Sequence, residues 1–333
     1  MADALVVKGL TKVFNNNLVA VDHISFTVNE GEIFGFLGPN GAGKTTTIHM
    51  LTTVLKPKEG SAIVCGHDIA KEPTEVRNCI GVVPQEYTAD EDLTGLENIL
   101  LCADLYGIPR EISKKRAEEL LKLVELTKFK DKQVQTYSGG MRRRLELACG
   151  LINRPHLFFL DEPTLGLDVQ TRMATWDYIR LLKKEYGMTI FMTTHYLEEA
   201  DMLCERVAII DRGKIIAVGA PNELKEKLGG DIMTLSIKDA NADISGIIQK
   251  VPKVKEVKKQ DGAYRIKVED GEETAPIILD AIRAQGHSVT RLSLTKPTLD
   301  EVYLEYTGKS LREEEESKES MFRQRATLRR ARG

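Results

Sequence analysis

The sequence predicts an α/β protein with a smaller α+β domain behind it. Three observations carry this reading. A glycine-rich loop, Gly38–Thr45 (GPNGAGKT), lies between a short apolar run, Glu32–Leu37, and a helix-compatible stretch, Thr46–Leu55. Three more apolar runs of strand length, Ile80–Val83, Leu157–Leu160 and Thr189–Thr193, lead into polar residues, and α/β sheets bind ligands at such strand ends. Beyond Gly229-Gly230 the order becomes β-α-β-β-α-β, the order of a ferredoxin-like split unit.

The bulk numbers fit this. A chain of 333 residues has room for about two domains. Hydrophobic content of 42% and charged content of 29% are ordinary for a globular protein. A net charge of −3 and a pI near 6.2 argue against a nucleic-acid partner, which usually requires a basic excess. The cysteines (Cys65, Cys79, Cys102, Cys149 and Cys204) are scattered and odd in number, which suits reduced thiols rather than a disulfide framework. The start, MADALVVKGL, does not read as a signal peptide, and no uncharged apolar stretch is long enough to span a bilayer. The chain therefore reads as soluble, and any membrane role runs through a partner.

The loop carries the clearest chemistry. Gly38, Gly43, Lys44 and Thr45 occupy the fixed places of G-x-x-x-x-G-K-[ST]. Glycines let backbone N–H groups close around phosphates, and the helix start adds its positive dipole end. Pro39, Asn40, Gly41 and Ala42 complete the cradle, and Thr46 follows it. Lys44 is placed to reach β- and γ-phosphates, and the Thr45 hydroxyl to ligate Mg²⁺.

In chain order, Leu5–Val13 and Leu18–Val28 read as paired strands around Asn15-Asn16-Asn17, with Phe14 at the tip. Phe14 either stacks on a purine ring, worth roughly 1–3 kcal/mol by analogy with base stacking, or tucks back into the core. Ser61–Val64 is a strand, and Gly66-His67-Asp68 a turn. Gln85, after Ile80–Val83, has an amide that suits a metal or an attacking water; otherwise it is a solvated loop residue. Leu93–Tyr106 and Ser113–Leu126 have helical spacing and form a helical insertion spanning about residues 87–152. Ser138 caps the helix Met141–Leu151, and Gly139-Gly140 expose N–H groups there, a second potential anion-binding end. The run Arg142-Arg143-Arg144 reads as a solvated helix face. Asp161 and Glu162 close the run Leu157–Leu160; Asp161 suits an indirect Mg²⁺ contact, and Glu162 orienting or deprotonating a water. Thr171–Tyr186 and Glu198–Cys204 are helices. His195, at the end of Thr189–Thr193, falls at the same sheet edge as the phosphate loop. Arg206–Asp211 and Lys214–Val218 are strands, and Pro221–Leu228 is a last helix of the first domain.

The first domain thus runs over residues 1–229 and the second over 230–307. In the second, Ile232–Ile237, Val254–Lys259, Tyr264–Glu269 and Ser288–Leu294 are strands, and Ala242–Val251 and Glu273–Ala284 are helices. Asp261-Gly262 is a hairpin turn. Thr298 and Glu301 cap a closing helix over Thr298–Tyr306. Residues 308–333 form a charge-dense tail that reads as disordered and solvated, or as a basic anchor on an anionic membrane surface.

With these motifs in place, residues 5 to 225 resemble the nucleotide-binding subunit of an ABC transporter. The resemblance implies a P-loop NTPase domain with a helical subdomain. It also implies that Phe14 is the adenine-stacking aromatic, Gly38–Thr45 the Walker A loop, and Gln85 the Q-loop glutamine. Ser138-Gly139-Gly140 corresponds to the signature, Asp161 to the Walker B aspartate, and Glu162 to the catalytic glutamate. Asp168 corresponds to the D-loop aspartate and His195 to the switch histidine. The chain departs from the usual L-S-G-G-Q signature at Tyr137 and Met141, and from the common D-loop in Leu165-Gly166-Leu167-Asp168. Its Y-S-G-G-M-R-R-R-L segment and its ending at Pro297–Gly308 resemble the daunorubicin-resistance-type exporters.

What the resemblance implies is an ATP- and Mg²⁺-dependent ATPase on the cytoplasmic face of the membrane. Its partners are integral membrane subunits on separate chains and a second copy of itself. The second copy would supply Ser138–Gly140 to the γ-phosphate. The segment after Gln85, through Leu93–Tyr106, is where that family receives the membrane subunit. A soluble ATPase of the same fold and an importer subunit are the alternatives. A P-loop GTPase switch would need an N-K-x-D motif, which is missing.

Overall fold

The computed structural model describes residues 3–15, 17–239, 242–260 and 262–308, apart from the side chain of Gln260. Asn16, Asp261 and the expected tail from Lys309 onward lie outside the described residues. The chain divides into two compact units that part between Pro221 and Asn222, ahead of Gly229-Gly230.

The first unit holds two sheets. The strands β1 (Asp3–Phe14), β2 (Leu18–Asn29), β4 (Glu59–Val64) and β5 (His67–Asp68) form an antiparallel sheet in the order β2-β1-β4-β5. The other sheet takes β3 (Ile33–Leu37), β6 (Ile80–Val83), β7 (Leu157–Asp161), β8 (Thr189–Thr194), β9 (Arg206–Asp211) and β10 (Lys214–Gly219). Its order is β10-β9-β3-β8-β7-β6, parallel throughout except for β10 at the edge. The central strands β3, β7 and β8 are buried at every position, which is why they read as unbroken apolar runs. Phe26, Phe34, Phe36, Phe159 and Phe191 pack between the sheets, with ring centroids 5.4–5.9 Å apart. Three of the pairs are stacked and three tilted, and offset aromatic contacts at this spacing stabilise beyond simple burial.

Helix α1 (Lys44–Leu51) follows the phosphate loop. Helix α2 (Pro73–Cys79) is absent from the sequence reading; Pro73 starts it, and it buries Val76 alone, too little to leave a helical period. Between β6 and β7, α3 (Gly95–Leu105), α4 (Arg110–Leu123) and α5 (Gly139–Leu151) enclose their own core around Ile99, Leu121 and Leu145. A reciprocal Thr94–Glu97 capping box starts α3. Helix α6 (Val169–Tyr186) ends on Gly187 at φ 60°, the left-handed stop that glycine adopts freely. Helix α7 (Leu197–Leu203) completes this unit.

The second unit takes in most of α8 (Pro221–Glu226), then β11 (Asp231–Ile237), α9 (Ser245–Ile248), β12 (Val254–Gln260), β13 (Ala263–Val268), α10 (Gly271–Ala284), β14 (Val289–Thr295) and α11 (Leu299–Thr307). All strand pairs are antiparallel, in the order β12-β13-β11-β14. Numbered within the unit this is 2-3-1-4, the ferredoxin-like arrangement. The first helix is shorter than the expected Ala242–Val251. The Tyr264 hydroxyl donates to the Ala242 carbonyl (2.6 Å) and accepts from Ile244 N (3.2 Å), so this stretch is a loop pinned to the sheet. Thr298 and Glu301 form the expected capping box.

Candidate functional site

Four neighbouring parallel strands, β3, β8, β7 and β6, release their loops at one edge of the sheet. The loops carry Gly38–Thr45, His195, Glu162 and Gln85 respectively. The sheet order, not the sequence order, gathers them.

The phosphate loop is held tightly against the backbone behind it. Gly38 N–H donates to the Thr194 carbonyl (3.3 Å), and Gly213 N–H to the Ala42 carbonyl (2.9 Å). A Cβ on Gly38 would stand 2.2 Å from the Ile210 carbonyl oxygen. Gly43 sits at φ 109°, and a Cβ there would meet the Ala20 carbonyl oxygen at 2.5 Å. Only glycine fits both places.

Lys44 is 6% exposed. Its Nζ donates to the Gly38 carbonyl (2.7 Å) and the Pro39 carbonyl (3.3 Å), and lies 2.9 Å from Glu162 Oε1. The last contact is an ion pair and not an aligned hydrogen bond, since Oε1 has no hydrogen-bond partner. The other oxygen, Oε2, meets His195 Nδ1 at 2.7 Å. Burial works against charge on Glu162, but the His195 hydrogen bond and the nearby Lys44 charge outweigh it and hold its carboxyl below the ordinary range.

Glu162 also carries a left-handed backbone, at φ 49°. A non-glycine residue there stores strain that its surroundings must hold. Its N–H donates to Thr193 Oγ1 (3.0 Å), and that hydroxyl donates to Asp161 Oδ1 (2.5 Å). Thr193 therefore holds the Glu162 backbone and the Asp161 carboxylate together.

The remaining expected positions stand outside the buried cluster of Lys44, Glu162 and His195. Phe14 is 38% exposed at the end of β1, with Lys12 Nζ 5.5 Å above its ring; it does not tuck into the core. Gln85 is exposed. Ser138 caps α5 by accepting from Met141 N (3.3 Å), and Ser138 and Gly139 face solvent. Tyr137, where the usual signature has leucine, is buried, and its hydroxyl donates to the Phe129 carbonyl (2.8 Å). Asp168 caps α6, accepting from Thr171 N (3.0 Å) and Thr171 Oγ1 (2.7 Å); these bonds hold its carboxyl below the ordinary range.

Comparison with known proteins decides the family. Residues 21–165 match the family described as "ABC transporter". Residues 219–307 match "ATP-binding protein DrrA1-3-like, C-terminal domain". The chain is 40% identical over 310 residues to a doxorubicin resistance ATP-binding protein of Mycobacterium tuberculosis, covering 91% of this chain and 93% of that one. The chain belongs to the DrrA-like ABC transporter ATP-binding proteins.

Other members are alike over most of their length. The daunorubicin/doxorubicin resistance ATP-binding protein of Streptomyces peucetius is 41% identical, with 92% of each chain covered. The linearmycin resistance ATP-binding protein of Bacillus subtilis is 37% identical over 88% of this chain and 95% of that one. Among solved structures, an ATP-binding subunit of an ABC transporter matches with a TM-score of 0.61 at 28% identity, over 68% of this chain and 93% of that one. An ATP-binding cassette solved as a dimer in a post-hydrolysis state with ADP and Pi matches with a TM-score of 0.59 at 28% identity, over 65% and 98%. This ABC protein is thus an ATP-binding, ATP-hydrolysing subunit of a transporter. Among its described residues, no helix is long and apolar enough to cross a membrane.

Several polar groups of this ABC subunit escaped the sequence reading. Arg143, expected on a solvated face, is 1% exposed. Glu146, on the same helix, is 3% exposed and Glu199 is fully buried. Helical spacing carries a signal for the first two: Arg143 lies three and four residues before Glu146 and the buried Leu147, on the inward face. Glu199 Oε1 accepts from Thr164 Oγ1 (2.8 Å) and Trp176 Nε1 (2.8 Å), and burial pushes its carboxyl above the ordinary range.

Proposed function

We propose that this chain powers an exporter as one of two identical copies, docked on integral membrane subunits at the cytoplasmic face. The observation that carries this is the buried cluster of Lys44, Glu162 and His195, set at the edge of a parallel sheet, in a chain whose relatives are named for drug resistance. In this reading Gly38–Thr46 holds the ATP phosphates, with Lys44 on the β- and γ-phosphates. Phe14 offers its exposed π-face to the adenine. Glu162 orients or deprotonates the attacking water, and His195 holds Glu162 and meets the γ-phosphate. Ser138, Gly139 and Gly140 of one copy close over the ATP of the other, and Asp168 lies at that junction.

The donor set suits Mg²⁺. Thr45, Gln85 and Asp161 offer a hydroxyl, an amide oxygen and a carboxylate, all hard oxygen ligands. Asp161 is 2% exposed, with Oδ1 engaged by Thr193. The described residues contain no group of three acidic, histidine or cysteine side chains placed to cage a metal; Mg²⁺ needs none, since it keeps waters and takes phosphate oxygens. When bound, the ion would neutralise charge that develops on the phosphates.

Tyr87 ahead of α3, Leu101 and Leu105 on it and Tyr106 just after it are exposed. This apolar surface suits a membrane subunit docking beside Gln85. The test is to capture a tagged full-length chain from its own membranes and identify the integral protein that accompanies it. Capture of the chain alone, at every detergent tried, would remove the transporter partner from the proposal.

A further inference from the structure

Arg143 is among the largest fully buried side chains of the protein. Its guanidinium donates to three backbone carbonyls on two different loops. Nη1 reaches the Pro84 oxygen at 2.9 Å, and Nη2 reaches the oxygens of Gln85 (3.3 Å) and Glu162 (3.2 Å). The ring of Tyr87 lies 5.5 Å away, in cation–π range. Burial works against the charge, so those carbonyls are what the buried cation depends on.

One turn later on α5, Glu146 does the converse. Its carboxylate accepts from Thr88 N (2.6 Å), Ala89 N (2.8 Å) and Thr88 Oγ1 (2.9 Å). Tyr87 Oη also donates to the Gly139 carbonyl (3.3 Å), at the start of the same helix. Residues 84–89 are therefore fastened to α5 by a cation on their carbonyls and an anion on their amides.

The third carbonyl is the telling one. Glu162 has the strained left-handed backbone, and its peptide is gripped from both sides, by Thr193 at the N–H and by Arg143 at the oxygen. Shifting residues 84–89 without shifting Glu162 would tear buried, charge-assisted hydrogen bonds, which are the strong ones.

We propose that Arg143 is a positioning residue which, with Glu146, makes α5 a rigid link between residues 84–89, the Ser138–Gly140 helix end and the carboxylate of Glu162. A partner that moves 84–89 thereby moves the group that acts on water. The inference rests on Glu162 serving as that group.

The test is steady-state ATP turnover by the complex captured on the tagged full-length chain. Arg143→Met should lower kcat by about tenfold to a hundredfold, the scale of a small misplacement of a reacting group. The KM for ATP should stay within about threefold of the parent, since the phosphate loop is untouched. Arg143→Lys, which keeps one charged donor, should recover part of the loss, and Glu146→Gln should lower kcat in the same direction as Arg143→Met. Glu162→Gln is the control. If it is inactive while Arg143→Met turns over like the parent, the link is wrong and the Glu162 assignment stands. If Glu162→Gln itself turns over normally, the assignment fails and the link with it. If Arg143→Met does not fold, Arg143→Lys decides: lower kcat at unchanged KM and melting temperature supports the link, whereas kcat, KM and melting falling together means a merely structural arginine and overturns it.

Discussion

Lys44 Nζ and Glu162 Oε1 stand 2.9 Å apart, each side chain almost wholly buried. The two come from loops more than a hundred residues apart in sequence and meet because β3 and β7 flank β8. Lys44→Ala should abolish ATP binding at cellular concentrations, read with a labelled ATP analogue; unchanged affinity would contradict the phosphate-loop assignment. The variant should also lose about 3–5 kcal/mol of stability, because removing one partner of a buried pair strands the other. The His195 contact keeps the loss at the lower end of that range.

Glu162→Gln keeps the shape of the side chain and removes its basicity. ATP binding should persist, while turnover falls by about 10²–10⁴-fold, the scale of a general base. Parallel measurements of nucleotide affinity and phosphate release check this; near-normal release would take Glu162 out of that role.

Two buried carboxylates should shape the pH dependence of stability in opposite senses. The Glu162 carboxyl is held below its ordinary value of 4.5, so its contribution is present above that pH and fades as pH falls through the depressed value. The Glu199 carboxyl is pushed above the same ordinary value, so its contribution is complete below that pH and is lost as pH rises through the raised value. Melting curves against pH should therefore flatten on the acid side in Glu162→Gln and on the neutral side in Glu199→Gln. Superimposable curves for parent and Glu199→Gln would show that Glu199 ionises as it does in water.

Trp176 is the one tryptophan of the chain, and its indole N–H donates to Glu199. Glu199→Ala leaves that N–H and the Thr164 hydroxyl without their acceptor, at about 1–3 kcal/mol for each buried group. The emission of Trp176 should change with it, and equilibrium denaturation should show the loss. Emission and stability equal to the parent would mean that water or another acceptor takes over.

The phosphate loop and the two carboxylates at the end of β7 were legible in the sequence because backbone closeness and strand ends restrict the residues they tolerate. The polar groups behind them were not. A charged residue on a helix ordinarily reads as solvated, and Arg143 and Glu146 are buried only because their partners, residues 84–89, pack there from another strand end. Thr193 looks like an ordinary strand residue until β8 is seen beside β7. In the second unit, four strands were legible from alternation, while the first helix shrank because Tyr264 competes for the Ala242 carbonyl.

The division of the chain supplies another test. A chain ending at Pro221 should fold and bind ATP. One ending at Gly229 adds Leu224 and Leu228, which are buried in the full chain and belong to the second unit; it should aggregate more readily. Light scattering and ATP-analogue binding on both truncations check this, and poor folding of the shorter one alone would place the boundary after α8.

The strand order at the site acts as a ruler. Adjacent strands lie about 4.8 Å apart, so the loops that follow β3, β8, β7 and β6 start at even steps along one edge. That pitch belongs to the peptide backbone and is indifferent to which side chains the loops carry. Gly81 in β6 in turn lets α5 sit close on this edge, since a Cβ there would meet the Gly150 carbonyl oxygen at 2.1 Å. Such an edge holds the spacing between steps fixed, and the contacts among Lys44, Glu162 and His195 depend on that spacing.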